Sequence, residues 1–282
     1  MPAIAVLGLG EAGGAIAGGL VAAGAVVRGY DPAVAVPDGM VACGSEAEAA
    51  AGADLVLSVN SAHDAAAALR AGAGAVGGGA VWADLNTGSP GLKRELDAIA
   101  REAGVRFADV AIMAPVPGRG LRTPLLASGA GAAGVAGVLG PLGADVEVMD
   151  GPAGLAAERK LLRSVFFKGL AGSVVEALEA ARAAGCEEWL RANIVAELTA
   201  AGEHTVDRLV GGTYRHAVRR AAEMEAAAAM LEELDVPPAM AAASRDLLRR
   251  LSNRPAGCHG CGTTRSSSGP TPGPWPAPPP SR

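Results

Sequence analysis

Lysine is nearly absent from this 282-residue chain, where three lysines stand against 21 arginines. Aromatic residues make up only 3%, although half the residues are hydrophobic, so a core has to be built mostly from Ala, Val and Leu. Basic blocks are missing too. With a formal net charge of −5, this argues against a nucleic-acid surface. The start, MPAIAVLGLG, lacks the charged opening and small-residue cleavage site of a secretory signal. The uncharged run at residues 12–27 is broken by glycines and too short to span a bilayer. These absences predict a soluble cytoplasmic protein without a membrane partner, of one large or two ordinary domains.

The four cysteines include Cys258 and Cys261 in a CHGC stretch. Structural zinc takes four ligands, usually from two such knuckles, and a second is missing, so no metal site is expected. Residues 254–282 are rich in Gly, Ser, Thr and Pro and read as a disordered tail.

The first half alternates short apolar runs with helical patterns. AIAVLG, AVVRGYD, DLVLSV, AVWADLN, RFADVAIM, TPLLAS and DVEVMD read as strands, separated by helical segments. Ser45 and Ser89 stand where N-caps belong, and Pro90 follows Ser89 at a first helical position. This alternation predicts a mostly parallel sheet covered on both faces. The pattern changes near Gly151: a helix of roughly 45–50 Å runs from Pro152 to about Gly185, and further helices continue to about Asn253. The fold class is thus α/β plus all-α, with units at 1–151 and 152–253 and the tail beyond.

GLGEAG, spanning Gly8, Leu9, Gly10, Glu11, Ala12 and Gly13, follows the first strand and opens a helix. In that context the glycines fit a dinucleotide fingerprint: a tight turn, close approach of backbone to pyrophosphate, and a helix N-terminus that attracts the anion. Asp31 ends the second strand, where a carboxylate accepts from the adenosine ribose and repels a 2′-phosphate. It favours NAD, while Arg28 keeps NADP open. Val59, ending the third apolar run, and Asn60 after it are assigned to the same cofactor site. DLNTGSP and MAPVPGRG also follow strands and border the ligand crevice of an open sheet. Asn86 and Thr87 there are either neutral substrate ligands or turn residues. Pro117, Gly118 and Arg119 form either an anion loop, with exposed N–H groups and a guanidinium clamp, or a solvated turn.

In ERKLLRSVFFKG, Lys160, Ser164 and Lys168 recur every four residues and share one helical face, with Arg163 beside it. Arginine cannot lose its proton in a protein, whereas a desolvated lysine can, so an amine kept in an arginine-rich chain points to proton chemistry. Lys168 also fits a snorkelling surface lysine. Further on, RHAVRRAAEM places His216, Arg219 and Arg220 on adjoining helical faces, as substrate ligands or as an internally paired surface.

Taken in order, GLGEAG, DLNTGSP, MAPVPGRG and GPAGLAAERKLLRS resemble the β-hydroxyacid dehydrogenase family, relatives of 6-phosphogluconate dehydrogenase. The resemblance covers residues 1 to about 252 and lies in particular with a branch whose C-terminal helical domain has unknown function. It implies a Rossmann-like NAD(P)-binding domain, a helical substrate and dimerisation domain, and a homodimer or larger homo-oligomer. It also implies a catalytic lysine at Lys160, followed one turn later by a polar residue, here Ser164. The usual Ser-Gly-Gly carboxylate loop is replaced by Pro117, Gly118 and Arg119, and a later lysine position holds Ala222, with Arg219 and Arg220 one turn earlier. The expected activity is NAD(P)-dependent interconversion of a small anionic hydroxy acid and its oxo acid. Imine reduction and a non-catalytic dinucleotide sensor are the alternatives.

Overall fold

A computed structural model describes residues 1–253. The tail and its CHGC cysteines lie outside the described residues. The first half folds as β1 (Ala3–Leu7), α1 (Glu11–Ala22), β2 (Val26–Tyr30), β3 (Val41–Ala42), α2 (Glu46–Ala50), β4 (Leu55–Ser58), α3 (Ala65–Gly72), β5 (Val81–Asp84), α4 (Pro90–Glu102), β6 (Arg106–Ile112), β7 (Leu125–Ser128), α5 (Ala132–Leu139) and β8 (Val146–Val148). The eight strands form one sheet in the order β3-β2-β1-β4-β5-β6-β7-β8. Among the described residues, only the β6–β7 pair is antiparallel. Strand order reverses between β1 and β4, which opens a crevice at their carboxyl ends.

Period-2 side-chain alternation explains why both faces are covered. Ile4, Val6, Leu55, Leu57 and Val81 join Ile16 and Leu20 of α1 and Val135 and Leu139 of α5 in one core. Ala5, Leu7, Val56, Trp82 and Phe107 point the other way, to Ala49 of α2, Leu69 of α3 and Leu96 of α4. Each such fully buried Leu or Val contributes about 1.5–3 kcal/mol. The expected caps form: Ser45 Oγ accepts from Glu48 N at 3.1 Å, and Ser89 Oγ from Leu92 N at 3.1 Å. The two-residue strand β3 has too little sequence to show an alternation, and the sequence pattern passes over it.

Beyond the sheet come α6 (Leu155–Ala183), α7 (Glu187–Thr199), α8 (Thr205–Arg215), α9 (Ala217–Glu233) and α10 (Ala239–Ser252). The chain divides into two compact units, Met1–Leu170 and a second beginning at Ala171. This differs from a boundary at residue 151, because the opening turns of α6 are clamped to the sheet. The Asp109 carboxylate of β6 accepts from Gly154 N and Ala157 N. Within the second unit, Glu176 of α6 accepts from Met240 N at 2.6 Å and Ala241 N at 2.8 Å, capping α10. Its small core is built on Ala180, Ala228, Leu231 and Ala241. No helix among the described residues is long and apolar enough to cross a membrane.

Candidate active site

The glycine-rich turn sits at the carboxyl end of β1, beside the β4 loop. Gly8 has φ +93°, and a Cβ there would lie 2.6 Å from Asn60 N. Only glycine takes that left-handed backbone without strain. A Cβ on Gly13 would lie 1.9 Å from Gly8 O, so the turn and the first coil of α1 are in direct contact. Gly10, in contrast, faces open space, and no side chain caps α1. Uncapped first-turn N–H groups beside an open glycine suit a pyrophosphate, and these residues fit a bound dinucleotide.

Leu9 departs from the cofactor role assigned to it. Its side chain is buried, and its N–H donates to Asp31 Oδ2 at 2.7 Å. Asp31 Oδ1 accepts from Ala33 N and Val34 N at 2.8 and 2.9 Å. Partial burial works to raise the Asp31 pKa, but these three donors outweigh it and hold the carboxyl below its ordinary range. The carboxylate therefore stays ionised at the end of β2. Arg28 turns elsewhere: its Nε donates to Ala49 O at 3.1 Å and its Nη2 to Glu48 O at 2.7 Å, at the end of α2.

Lys160 lies in the second turn of α6 and is half-buried. Its Nζ donates to Thr87 Oγ1 at 2.8 Å. Desolvation first, then the positive charges of Lys93 and Lys168, push its pKa down to about 8, against the raising pull of Asp109. The amine borders a cleft of about 500 Å³ lined by Glu11 and Ala12 of the dinucleotide turn, residues 112–117 at and after the end of β6, and Arg163 and Ser164. Its lining thus combines a titratable amine, a hydroxyl and a guanidinium from α6, the Glu11 carboxylate beside Ala12, and the apolar run Ile112 to Pro117. Arg163 also stacks on the Phe167 ring, 4.1 Å from its centroid.

Beneath the cleft runs a buried polar chain that the sequence reading missed. Lys93, the third lysine, is 1% exposed. Its Nζ meets Asp84 Oδ1 at 2.5 Å, Asp84 O at 2.9 Å and Asp109 Oδ1 at 3.2 Å. Asn86, readable from sequence as either a crevice ligand or a turn residue, is buried. Its Nδ2 donates to Asp84 Oδ2 at 2.7 Å, Asn60 Oδ1 at 2.8 Å and Ser58 Oγ at 3.2 Å. Thr87, next in sequence, turns outward to Lys160. The available signal was a charged residue inside an apolar strand run, as at Asp84 and Asp109, which implies a buried partner.

The loop at residues 117–120 behaves differently from an anion cradle. Arg119 N and Gly120 N both donate to Val116 O at 2.9 Å, so these N–H groups are used within the turn. Pro117 lines the cleft, whereas Gly118 and Arg119 are exposed and outside its lining. Lys168 is exposed and reaches Lys160 through its charge alone. His216, Arg219 and Arg220 belong to the second unit. His216 is exposed at the α8–α9 junction, Arg219 pairs with Glu223, and Arg220 Nη1 donates to Thr213 Oγ1 at 2.7 Å. No cluster of three or more metal-ligating side chains occurs among the described residues.

The sequence matches the NAD-binding domain of 6-phosphogluconate dehydrogenase over residues 3–131 and a domain of unknown function (DUF1932) over residues 181–251. A conserved hypothetical protein from Sinorhizobium meliloti is 30% identical over 88% of each chain, with a TM-score of 0.59. The conserved protein MTH1747, of unknown function and described as structurally similar to 3-hydroxyacid dehydrogenases, is 25% identical over 89% of this chain and 98% of its own, with a TM-score of 0.58. An imine reductase from Streptomyces aurantiacus shares the fold at 22% identity, over 88% of this chain and 93% of its own, with a TM-score of 0.75. Among curated proteins, none matches this chain. With its fingerprint turn, its uncapped α1 and these matches along both halves, the chain belongs to the 6-phosphogluconate dehydrogenase-like family of NAD(P)-dependent dehydrogenases and reductases, with the DUF1932 domain as its helical part.

Proposed function

We propose that this protein is an oxidoreductase that interconverts a small anionic hydroxy acid and its oxo acid, with Lys160 as general acid and base. One observation carries the reading: an amine with a pKa near 8, oriented by Thr87, borders a cleft that also touches the dinucleotide turn. Bound NAD(H) supplies the hydride acceptor or donor. In reduction, the Lys160 ammonium gives a proton to the substrate carbonyl oxygen; in oxidation, the neutral amine takes it from the hydroxyl. Thr87 Oγ1 holds the amine in place, and Ser164, one turn on, is a hydrogen-bond partner for the substrate oxygen. Arg163 fits a carboxylate or a second anionic group such as phosphonate or phosphate, while Ile112, Met113 and Val116 take the apolar part.

NAD is the preferred form in this reading. The ionised Asp31 repels a 2′-phosphate, and Arg28 is tied to α2. The resemblance also supports a homodimer or larger homo-oligomer through the helical domain.

Imine reduction is the second reading, favoured by the fold shared with an imine reductase. A panel of oxo acids and cyclic imines, followed by NADH and NADPH oxidation, separates the two. Oxo acids with NADH are expected to turn over. Lys160→Arg is expected to lower kcat by about 10²–10⁴-fold with NADH binding intact. Full turnover in that variant rules out the proton role, and dinucleotide binding without any turnover favours a sensor.

A further inference from the structure

We propose that Asp109, held by the buried Lys93, is a positioning residue for the Lys160 amine, acting through the first turn of α6. This rests on the proton role proposed for Lys160. Asp109 is fully buried, in β6. Its Oδ2 accepts from Ala157 N at 2.9 Å, Gly154 N at 3.1 Å and Ser128 Oγ at 3.4 Å. Ser128 Oγ in turn accepts from Ala156 N at 3.1 Å. Three N–H groups at the start of α6 are thus satisfied from the sheet, and Ala157 is three residues before Lys160. These are donors that a helix start leaves unpaired, and a carboxylate is the acceptor its dipole favours.

The other support of Lys160 rests on the same cluster. Lys93 Nζ lies between Asp109 and Asp84. Asp84 holds Asn86, whose neighbour Thr87 accepts from the Lys160 amine. A chain of contacts, buried as far as Asn86, therefore links the helix that carries Lys160 with the exposed hydroxyl of Thr87 that orients it. It extends through Asn86 to Asn60, beside Gly8 of the dinucleotide turn. Asp84 and Asp109 share one buried lysine, an arrangement that is costly to desolvate where an apolar core would serve stability alone. The charged groups that face Lys160 include Lys93 on α4, Asp109 on β6, Lys168 and Arg163 on its own helix, and Glu11 of the dinucleotide turn across the cleft.

The scarcity of lysine makes a direct test practical. With 13C-lysine labelling only three lysine signals arise, and Lys160→Arg assigns the one that matters. In Asp109→Asn, removal of the carboxylate charge is expected to move the Lys160 titration down by about half a pH unit or more. The same variant is expected to lose about tenfold to a hundredfold in kcat, with NADH affinity unchanged. Ser128→Ala removes one clamp without a charge change; its kcat is expected to fall while the Lys160 titration stays put. An unmoved Lys160 titration in folded Asp109→Asn, or wild-type kcat in both variants, overturns the proposal. Should Asp109→Asn fail to fold, kcat in Ser128→Ala decides alone. The lysine titration needs no turnover, so a failure of the proton role, seen as full activity in Lys160→Arg, stays distinguishable from a failure of the positioning role.

Discussion

The Lys160 pKa of about 8 sets the direction of the pH dependence. In the proposed role of Lys160, reduction uses the ammonium, so kcat/KM in that direction is expected to be level below pH 8 and to fall as pH rises through it. Oxidation needs the neutral amine, so its rate is expected to rise through the same midpoint. Opposite limbs in the two directions, measured with saturating dinucleotide, are the signature; parallel limbs contradict it. Thr87 tunes this amine. Its Oγ1 accepts from Nζ at 2.8 Å and so favours the charged form. Thr87→Ala is expected to lower the midpoint and kcat together, and Thr87→Ser to restore both. At this scale the sequence was half legible. Lys160 stood out by rarity and by its spacing to Ser164. Lys93 was equally rare, but its partners Asp84 and Asp109 lie 9 and 16 residues away on two strands, and only the sheet brings them together.

Elements decide what the glycine turn tolerates. Gly10 faces open space, so Gly10→Ala is expected to leave the melting temperature near wild type while weakening NADH binding, since its methyl enters the space over the turn. Gly13→Ala puts a Cβ 1.9 Å from Gly8 O and is expected to destabilise the fold itself. Thermal melts and a fluorescence binding titration on both variants separate the two effects. Ser89→Ala, which removes the cap of α4, is expected to cost about 1 kcal/mol by chemical denaturation. α4 carries Lys93, so the cap also steadies the buried cluster. Element type was well legible here, because period-2 runs, Ser caps and Pro90 act locally. The 117–120 loop was not: whether an N–H faces a ligand or a neighbouring carbonyl depends on turn geometry, and Val116 O takes two of them.

For the whole molecule, the second unit presents many apolar side chains to solvent in the single chain. Val175, Trp189, Val195, Leu198, Val206, Leu209, Val210 and Val218 are all exposed. Such exposure on one helical unit is in keeping with the proposed homo-oligomer. Sedimentation equilibrium is expected to give a dimer or larger species, and Trp189→Glu with Val195→Asp to shift it toward monomer. A monomer at micromolar concentration in the unaltered protein contradicts the proposal.

The doubly wound sheet, the dinucleotide turn and the helical second half were determined by the sequence itself, because alternation, helical period and capping are local properties of a chain. Asp31 was marked in the sequence by its place after β2, and Lys160 by its rarity and its spacing to Ser164. The tertiary structure decided which polar groups are free and which are spent. It turned Asn86 inward and Thr87 toward Lys160, tied Arg28 to α2, and carried the first compact unit to Leu170 by clamping α6 to Asp109. Those outcomes depend on contacts between residues distant in sequence, where burial makes an unpaired polar group costly and so favours arrangements that pair it.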